Sequence, residues 1–381
     1  MTTISSTNAL PHSATSGQIA ASARATRASD DLPNLDFLRA VAVLLVVFGH
    51  LTFFRGITAV GPFNLYEMGG LGVRLFFVHT CFVLMLSLQR QWKKQGGLRL
   101  FAEFMIRRIF RIYPLSVTTV LLVLMFRPPM AELQPWHFLG TTPRWTTILS
   151  NLLLVQRIGP GQTPSILGPM WSLPYEMAMY PLLPWLFLFL YSERSIGRVA
   201  AVWLVSIASA LALLLYPPHA ANNVFLLFIP CFLPGVIAYQ LQRVKRPKLP
   251  ATLWMTLVLV IPMLYLHRYN PNFSMEGWIK SWLVCLALGL GIPFFTQISV
   301  RWIAMPSHLI AKYSYGIYLT HFFSIWFAFE YLRNALPLVA RLAVFLVLAA
   351  GLPVFFYHLL EEPMVQLGKR VGKRFETARA I

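Results

Sequence analysis

From Asp36 onward the chain alternates apolar runs with short polar or basic breaks. Ten runs stand out: 36–54, 68–88, 108–126, 171–191, 199–216, 224–241, 251–267, 279–298, 313–331 and 340–359. An apolar stretch of about 17–25 residues with few charges is the length of a membrane-crossing helix. The pattern therefore predicts an all-α polytopic membrane protein, a bundle of about ten transmembrane helices. The longest break, 127–170, is rich in Pro, Gly and Trp and reads as an ordered cap, with a partial or re-entrant helix over 146–157.

Composition agrees with this. Of 381 residues, 57% are hydrophobic and only 12% charged, against about 25% charged in soluble domains. The net charge of +19 raises nucleic acid as a partner. The basic residues, however, lie in the breaks between apolar runs, where they set topology. With the N-terminus inside, 22 Lys and Arg fall in inside segments and 8 in outside ones, which places both termini in the cytoplasm. No nucleic acid is expected, and the lipid bilayer is the first partner. Residues 1–34, rich in Ser, Thr and Ala, read as a disordered cytoplasmic tail. The membrane domain runs over 35–363, and 364–381 reads as a basic cytoplasmic tail. Cys81, Cys231 and Cys285 lie inside apolar runs without metal spacing, so no metal site is expected.

Ionisable groups inside a bilayer are costly unless they face a partner or a polar interior, so these mark candidate chemistry. Arg39 and His50 lie eleven residues apart on the first helix. At 100° per residue they share a face, about 16 Å apart along the axis. That face is expected to line a catalytic cavity, with Arg39 at its mouth and His50 near its middle. A neutral imidazole there can serve as a general base or only pack against its neighbours. Arg74 and His79 follow on the second helix. Arg74 is expected to snorkel to the interface, and His79 to need a polar partner such as Glu176 or substrate. Arg107, Arg108 and Arg111 are spaced to converge, and guanidinium forks suit phosphate. Glu176, close behind Trp171 and Ser172, is expected to orient His50 or His79 or to hold Arg74. Ser314, Tyr315, Tyr318 and His321 can form a polar helix face.

Taken together these stretches resemble the acyltransferase-3 family of integral membrane O-acyltransferases. The resemblance rests on Leu35-Asp36-x-Leu38-Arg39 with His50, the Gly72-Val73-x-Leu75-Phe76-Phe77-Val78 run and Arg107-Arg108-x-x-Arg111-Ile112-Tyr113-Pro114. Trp171-Ser172-Leu173-x-x-Glu176-x-x-x-Tyr180-Pro181, Ser314-Tyr315-x-x-Tyr318-Leu319-x-His321 and Glu361-Glu362-Pro363 complete it, in family order. Arg74 stands where the family usually has an acidic or amide residue, and Thr80-Cys81 replaces a small Ser-Gly pair.

The resemblance implies transfer of an acyl group, usually acetyl, from cytoplasmic acyl-CoA to a hydroxyl of a cell-surface polysaccharide, a lipid-linked sugar or a small molecule, in the bacterial inner membrane. Acyl-CoA is then a co-substrate, with no permanently bound cofactor. Its phosphates are expected on Arg107, Arg108 and Arg111, with Arg39 adding charge. His50 is expected to take the acceptor proton, directly or through an acyl-His intermediate, with Glu176 holding the imidazole. Tyr315, Ser172 or Ser314 would donate to the oxyanion. Arg74, His79, Trp171, Tyr318 and His321 complete the expected substrate pocket. A proton-coupled transporter or flippase also uses buried His, Arg and Glu, but the chain lacks the internal repeats typical of transporters. A membrane scaffold would not need titratable groups on several helices.

Overall fold

A computed structural model describes residues 32–93, 97–126, 143–159, 161–191, 196–216, 224–244, 247–267 and 275–377. The proposed tail over 1–34 lies almost wholly outside the described residues, as does 127–142 of the long break.

The described chain is helical nearly throughout. Helix α1 (Pro33–Phe54) begins on a proline, whose missing N–H costs nothing at a first turn. A two-residue antiparallel hairpin, β1 (Ala59–Val60) with β2 (Phe63–Asn64), leads to α2 (Met68–Trp92). Then come α3 (Leu98–Phe126), the short α4 (Trp145–Leu152), α5 (Leu173–Tyr191) after a 3₁₀ turn, α6 (Ile196–Leu215) and α7 (Val224–Gln242). Helices α8 (Ala251–Leu266), α9 (Met275–Gly291), α10 (Arg301–Trp326), α11 (Leu338–Phe356) and α12 (Glu362–Thr377) follow.

Eight helices among the described residues are long and apolar enough to cross a membrane: α1, α2, α3, α5, α6, α7, α9 and α11. Helices α8 and α10 occupy the two other positions where spans were expected. Helix α8 has 16 residues, about 24 Å of rise. Helix α10 begins twelve residues before the expected 313, because Arg301, His308 and Lys312 hide its first half from a hydropathy reading. Part of the basic C-terminal tail expected over 364–381 is helical, and 378–381 lie outside the described residues. Helix α12 continues from α11 through a π-helical turn at Tyr357–Glu361 and packs along α3, with Gly368 against Phe110 and Gly372 against Glu103.

At the centre, α1 packs against α2 and α10, α2 against α7, and α7 against α6 and α9. In a bilayer, close backbone approach supplies much of the helix association. A Cβ on Gly72 would sit 2.5 Å from the Ala42 carbonyl of α1, and one on Gly235 2.3 Å from the Val78 carbonyl of α2. The start of α1 is tied down by Asn34. Its side chain donates to Thr296 O (2.9 Å) and accepts from Ile298 N (3.0 Å), while Trp254 Nε1 donates to its carbonyl (3.1 Å). These bonds fix the height at which Arg39 enters the bundle.

Candidate active site

A polar cavity lies within the bundle, walled by α1, α2, α3, α5 and α10. About 80 Å³ of it is open to water, room for a handful of molecules at roughly 10–15 Å³ each. Arg39, His79, Arg108, Arg111 and Glu176 bring charge or an imidazole to its wall, and Val73, Phe76 and Phe77 of α2 form an apolar side.

Each helix delivers its groups by spacing. On α1, Arg39 Nε donates to Ser314 Oγ at 2.6 Å, and its guanidinium lies 6.0 Å from the Phe76 ring centre. On α3, Arg108 and Arg111 are i,i+3 and both reach the cavity. Arg107 turns aside to pair with Glu103 one turn earlier, so only two of the three expected arginines face inward. On α5, Tyr180 Oη donates to Glu176 Oε1 at 2.5 Å. A second carboxylate, Glu361 in the π-helical turn, is buried within electrostatic reach of Arg39 and Arg111, with neither oxygen hydrogen-bonded to protein. Three guanidiniums thus share the interior with two carboxylates, leaving an excess of positive charge.

The hydroxyls expected as oxyanion donors are already occupied. Tyr315 Oη donates to Ile112 O (2.7 Å) and Ser314 Oγ to Ala311 O (2.8 Å). Tyr318 Oη donates to Pro169 O and lies 2.7 Å from Ser172 Oγ, so Ser172 gives its proton to Tyr318. These groups wall the cavity and tie α10 to α3 and to the turn before α5.

His50 does not line this cavity. The route to it runs from Tyr318 on the wall to His321, whose ring centre is 6.4 Å away, and then to His50. His321 Nε2 lies 3.1 Å from His50 Nδ1. His50 Nδ1 is also 2.9 Å from Val46 O, and His321 Nδ1 is 3.0 Å from Ile317 O. A carbonyl only accepts, so in the neutral pair each Nδ1 carries its proton. His321 Nε2 is then an acceptor for the His50 Nδ1–H, and His50 Nε2 holds a bare lone pair. That edge lies beside Gly69 at the start of α2, where an added Cβ would be 3.6 Å from Nε2.

The expected single face is therefore found, since Arg39 and His50 both reach α10. The expected single cavity is corrected, because Tyr318 and His321 intervene. Glu176 does not hold His50; its carboxylate accepts a hydrogen bond from Tyr180, and a second imidazole occupies the place at His50. Arg74 does not snorkel and lies outside the cavity wall. Nη1 pairs with Glu67 at 3.0 Å, and the guanidinium sits 5.9 Å from Tyr265 and 5.7 Å from Trp278 ring centres. Trp171 packs edge-on against Tyr175 and tilted against Phe228 and does not line the cavity. His79 is buried on the wall with Nδ1 unpartnered, and no bond to Glu176 forms. Tyr180 and Phe76 were missed as site residues. Tyr180 was open to detection, one turn beyond Glu176.

The chain belongs to the acyltransferase family whose model, described as an acyltransferase domain, matches residues 32–358. It is 25% identical over 374 residues to a protein of Bacillus subtilis described as "Putative peptidoglycan O-acetyltransferase YrhL", covering 90% of this chain and 56% of that one. It is 26% identical over 331 residues to "Peptidoglycan O-acetyltransferase OatA" of Listeria monocytogenes, covering 76% of this chain and 49% of that one. The chain thus spans about half the length of these curated relatives. No solved structure matches it.

Proposed function

We propose that the protein is an O-acetyltransferase of the bacterial inner membrane that takes acetyl from cytoplasmic acetyl-CoA and delivers it to a glycan hydroxyl. The observation that carries this reading is the positively biased cavity inside an apolar bundle, whose wall carries Arg39, Arg108 and Arg111 against Glu176, with Glu361 buried nearby. Excess guanidinium charge in an interior cavity suits a phosphate-bearing donor. The glycan acceptor is taken from the names of the two relatives, and the cytoplasmic side of donor entry from the charge bias of the loops.

In this reading the donor phosphates meet Arg108 and Arg111, with Arg39 further along the arm. The thioester reaches toward His50, about 16 Å from Arg39 along α1, a span matching a pantetheine arm of roughly 15–20 Å. This path needs Tyr318 to swing from the wall. His50 Nε2 removes the acceptor hydroxyl proton as oxygen attacks the thioester carbonyl carbon. The carbon–sulfur bond breaks, the thiolate leaves with the bonding pair, and it recovers the proton from His50. Membrane vesicles given radiolabelled acetyl-CoA and glycan test the reading. Label transferred to glycan, with the apparent KM for acetyl-CoA raised at least about tenfold by Arg108→Ala with Arg111→Ala, supports it. Absence of transfer in the unaltered protein contradicts it.

A further inference from the structure

We propose that His321 is the positioning residue of the reaction, accepting the Nδ1–H of His50 and so holding His50 Nε2 as the free base. This rests on the reading of His50 as the base. A catalytic imidazole is normally oriented by a carboxylate or carbonyl on its second nitrogen. Here the second nitrogen meets the Val46 carbonyl of its own helix at 2.9 Å and, across on α10, another imidazole at 3.1 Å, so its one N–H is shared between the two.

The geometry makes His321 a rigid acceptor. It is fully buried, its Nδ1 is bonded to Ile317 O within its own helix, and the Phe322 ring lies 5.0 Å away, edge-on. The ring can neither turn away nor present N–H toward His50 without losing the carbonyl bond. His50 is fixed in the same manner by Val46 O and by the edge-on Phe322 ring at 4.7 Å. Around the pair, α1 contributes His50 and α10 contributes Tyr318 as the titratable neighbours, and α2 presents Gly69. Among the described residues no carboxylate or cation makes an ion pair with either ring. A carboxylate in this place would carry the cost of a buried charge throughout the cycle. A neutral imidazole accepts the same hydrogen bond without that cost.

The proton balance is simple. As the acceptor oxygen attacks, its proton moves to His50 Nε2. The resulting imidazolium keeps its Nδ1–H on His321 Nε2, which shares the positive charge. When the thiolate leaves, it takes the proton from Nε2 and the pair returns to its starting form. No other reactant is needed.

Two measurements on the protein in detergent or vesicles test this. The first is ¹⁵N spectroscopy of histidine-labelled protein, with the His50 signals assigned by their loss in His50→Gln. The expected result is a protonated Nδ1 and a bare Nε2 on His50; a proton on Nε2 overturns the proposal. The second compares His321→Leu with His321→Gln, whose side-chain oxygen can stand near the lost Nε2. His321→Leu is expected to lower kcat by about 10–100-fold, with the KM for acetyl-CoA within about twofold of the original. His321→Gln is expected to recover most of that loss. Equal loss in both variants, or a change in KM alone, overturns the role of His321. Should His50→Gln keep turnover, the base reading fails, while the spectrum still reports whether the His321 contact exists.

Discussion

Arg39 Nε donates to Ser314 Oγ at 2.6 Å, which joins the first and the tenth helix at the level of the cavity. Because the Nε proton is used this way, the two terminal nitrogens remain for a ligand, and the guanidinium plane is set by the protein. A lysine offers no such division of labour. Arg39→Lys is therefore expected to raise the KM for acetyl-CoA nearly as much as Arg39→Ala, by about tenfold or more. Steady-state kinetics in vesicles check this. A lysine variant with unchanged KM would mean that Arg39 supplies only charge.

The interior charge set gives a stability prediction. Glu176 shares the cavity wall with Arg39, Arg108 and Arg111 and accepts a hydrogen bond from Tyr180. Removing one partner of a buried charge set typically costs about 3–5 kcal/mol. Glu176→Ala is expected to lower the unfolding temperature in detergent, and Arg108→Ala in the same chain to restore part of it. Simple addition of the two losses would show that Glu176 and Arg108 do not interact.

Arg74 and Glu67 give a second pair, 6% and 12% exposed at their side chains. Here the double variant Glu67→Gln with Arg74→Gln is expected to be more stable than either single one, because each single change leaves a buried charge without its counter-ion. Catalysis in the double variant is expected to stay within about threefold of the original, since neither residue lines the cavity. Thermal unfolding and a turnover assay read the two effects separately.

Glycine positions test the packing. At Gly235 an added methyl meets the Val78 carbonyl at 2.3 Å, and backbone cannot move aside cheaply. Gly235→Ala is expected to destabilise by about 1–3 kcal/mol, the usual range for overpacking. Gly351 in α11 has no atom within 4 Å of an added Cβ, so Gly351→Ala is expected to be neutral or stabilising by up to about 1 kcal/mol. The same melting experiment checks both.

Much of this was legible along the chain, for a physical reason. The eleven-residue spacing of Arg39 and His50 is a property of one helix, and periodicity alone places them on one face. Glu176 with Tyr180 and Arg107 with Glu103 are likewise single-helix relations, and both were overlooked although four-residue spacing exposes them. Arg74 and Glu67 are seven apart, two helical turns, yet Glu67 stands just before α2 and was not paired. What periodicity cannot supply is the rotation of one helix against another. That rotation brings His321 to His50, sets Tyr318 and His321 between His50 and the cavity, and commits the Tyr315 hydroxyl to the Ile112 carbonyl and the Ser172 hydroxyl to Tyr318. Hydropathy missed the first half of α10, where charge masks the helix, and gave no sign that the basic C-terminal segment forms the helix α12.

The central claim is that His50 removes the acceptor proton from a donor held by the arginine cavity. Its most direct test is transfer from radiolabelled acetyl-CoA by purified His50→Gln in vesicles, alongside acetyl-CoA binding to the same protein. Label on the glycan is expected to fall by at least about 100-fold while acetyl-CoA still binds as in the unaltered protein. Transfer at near the original rate would contradict the claim.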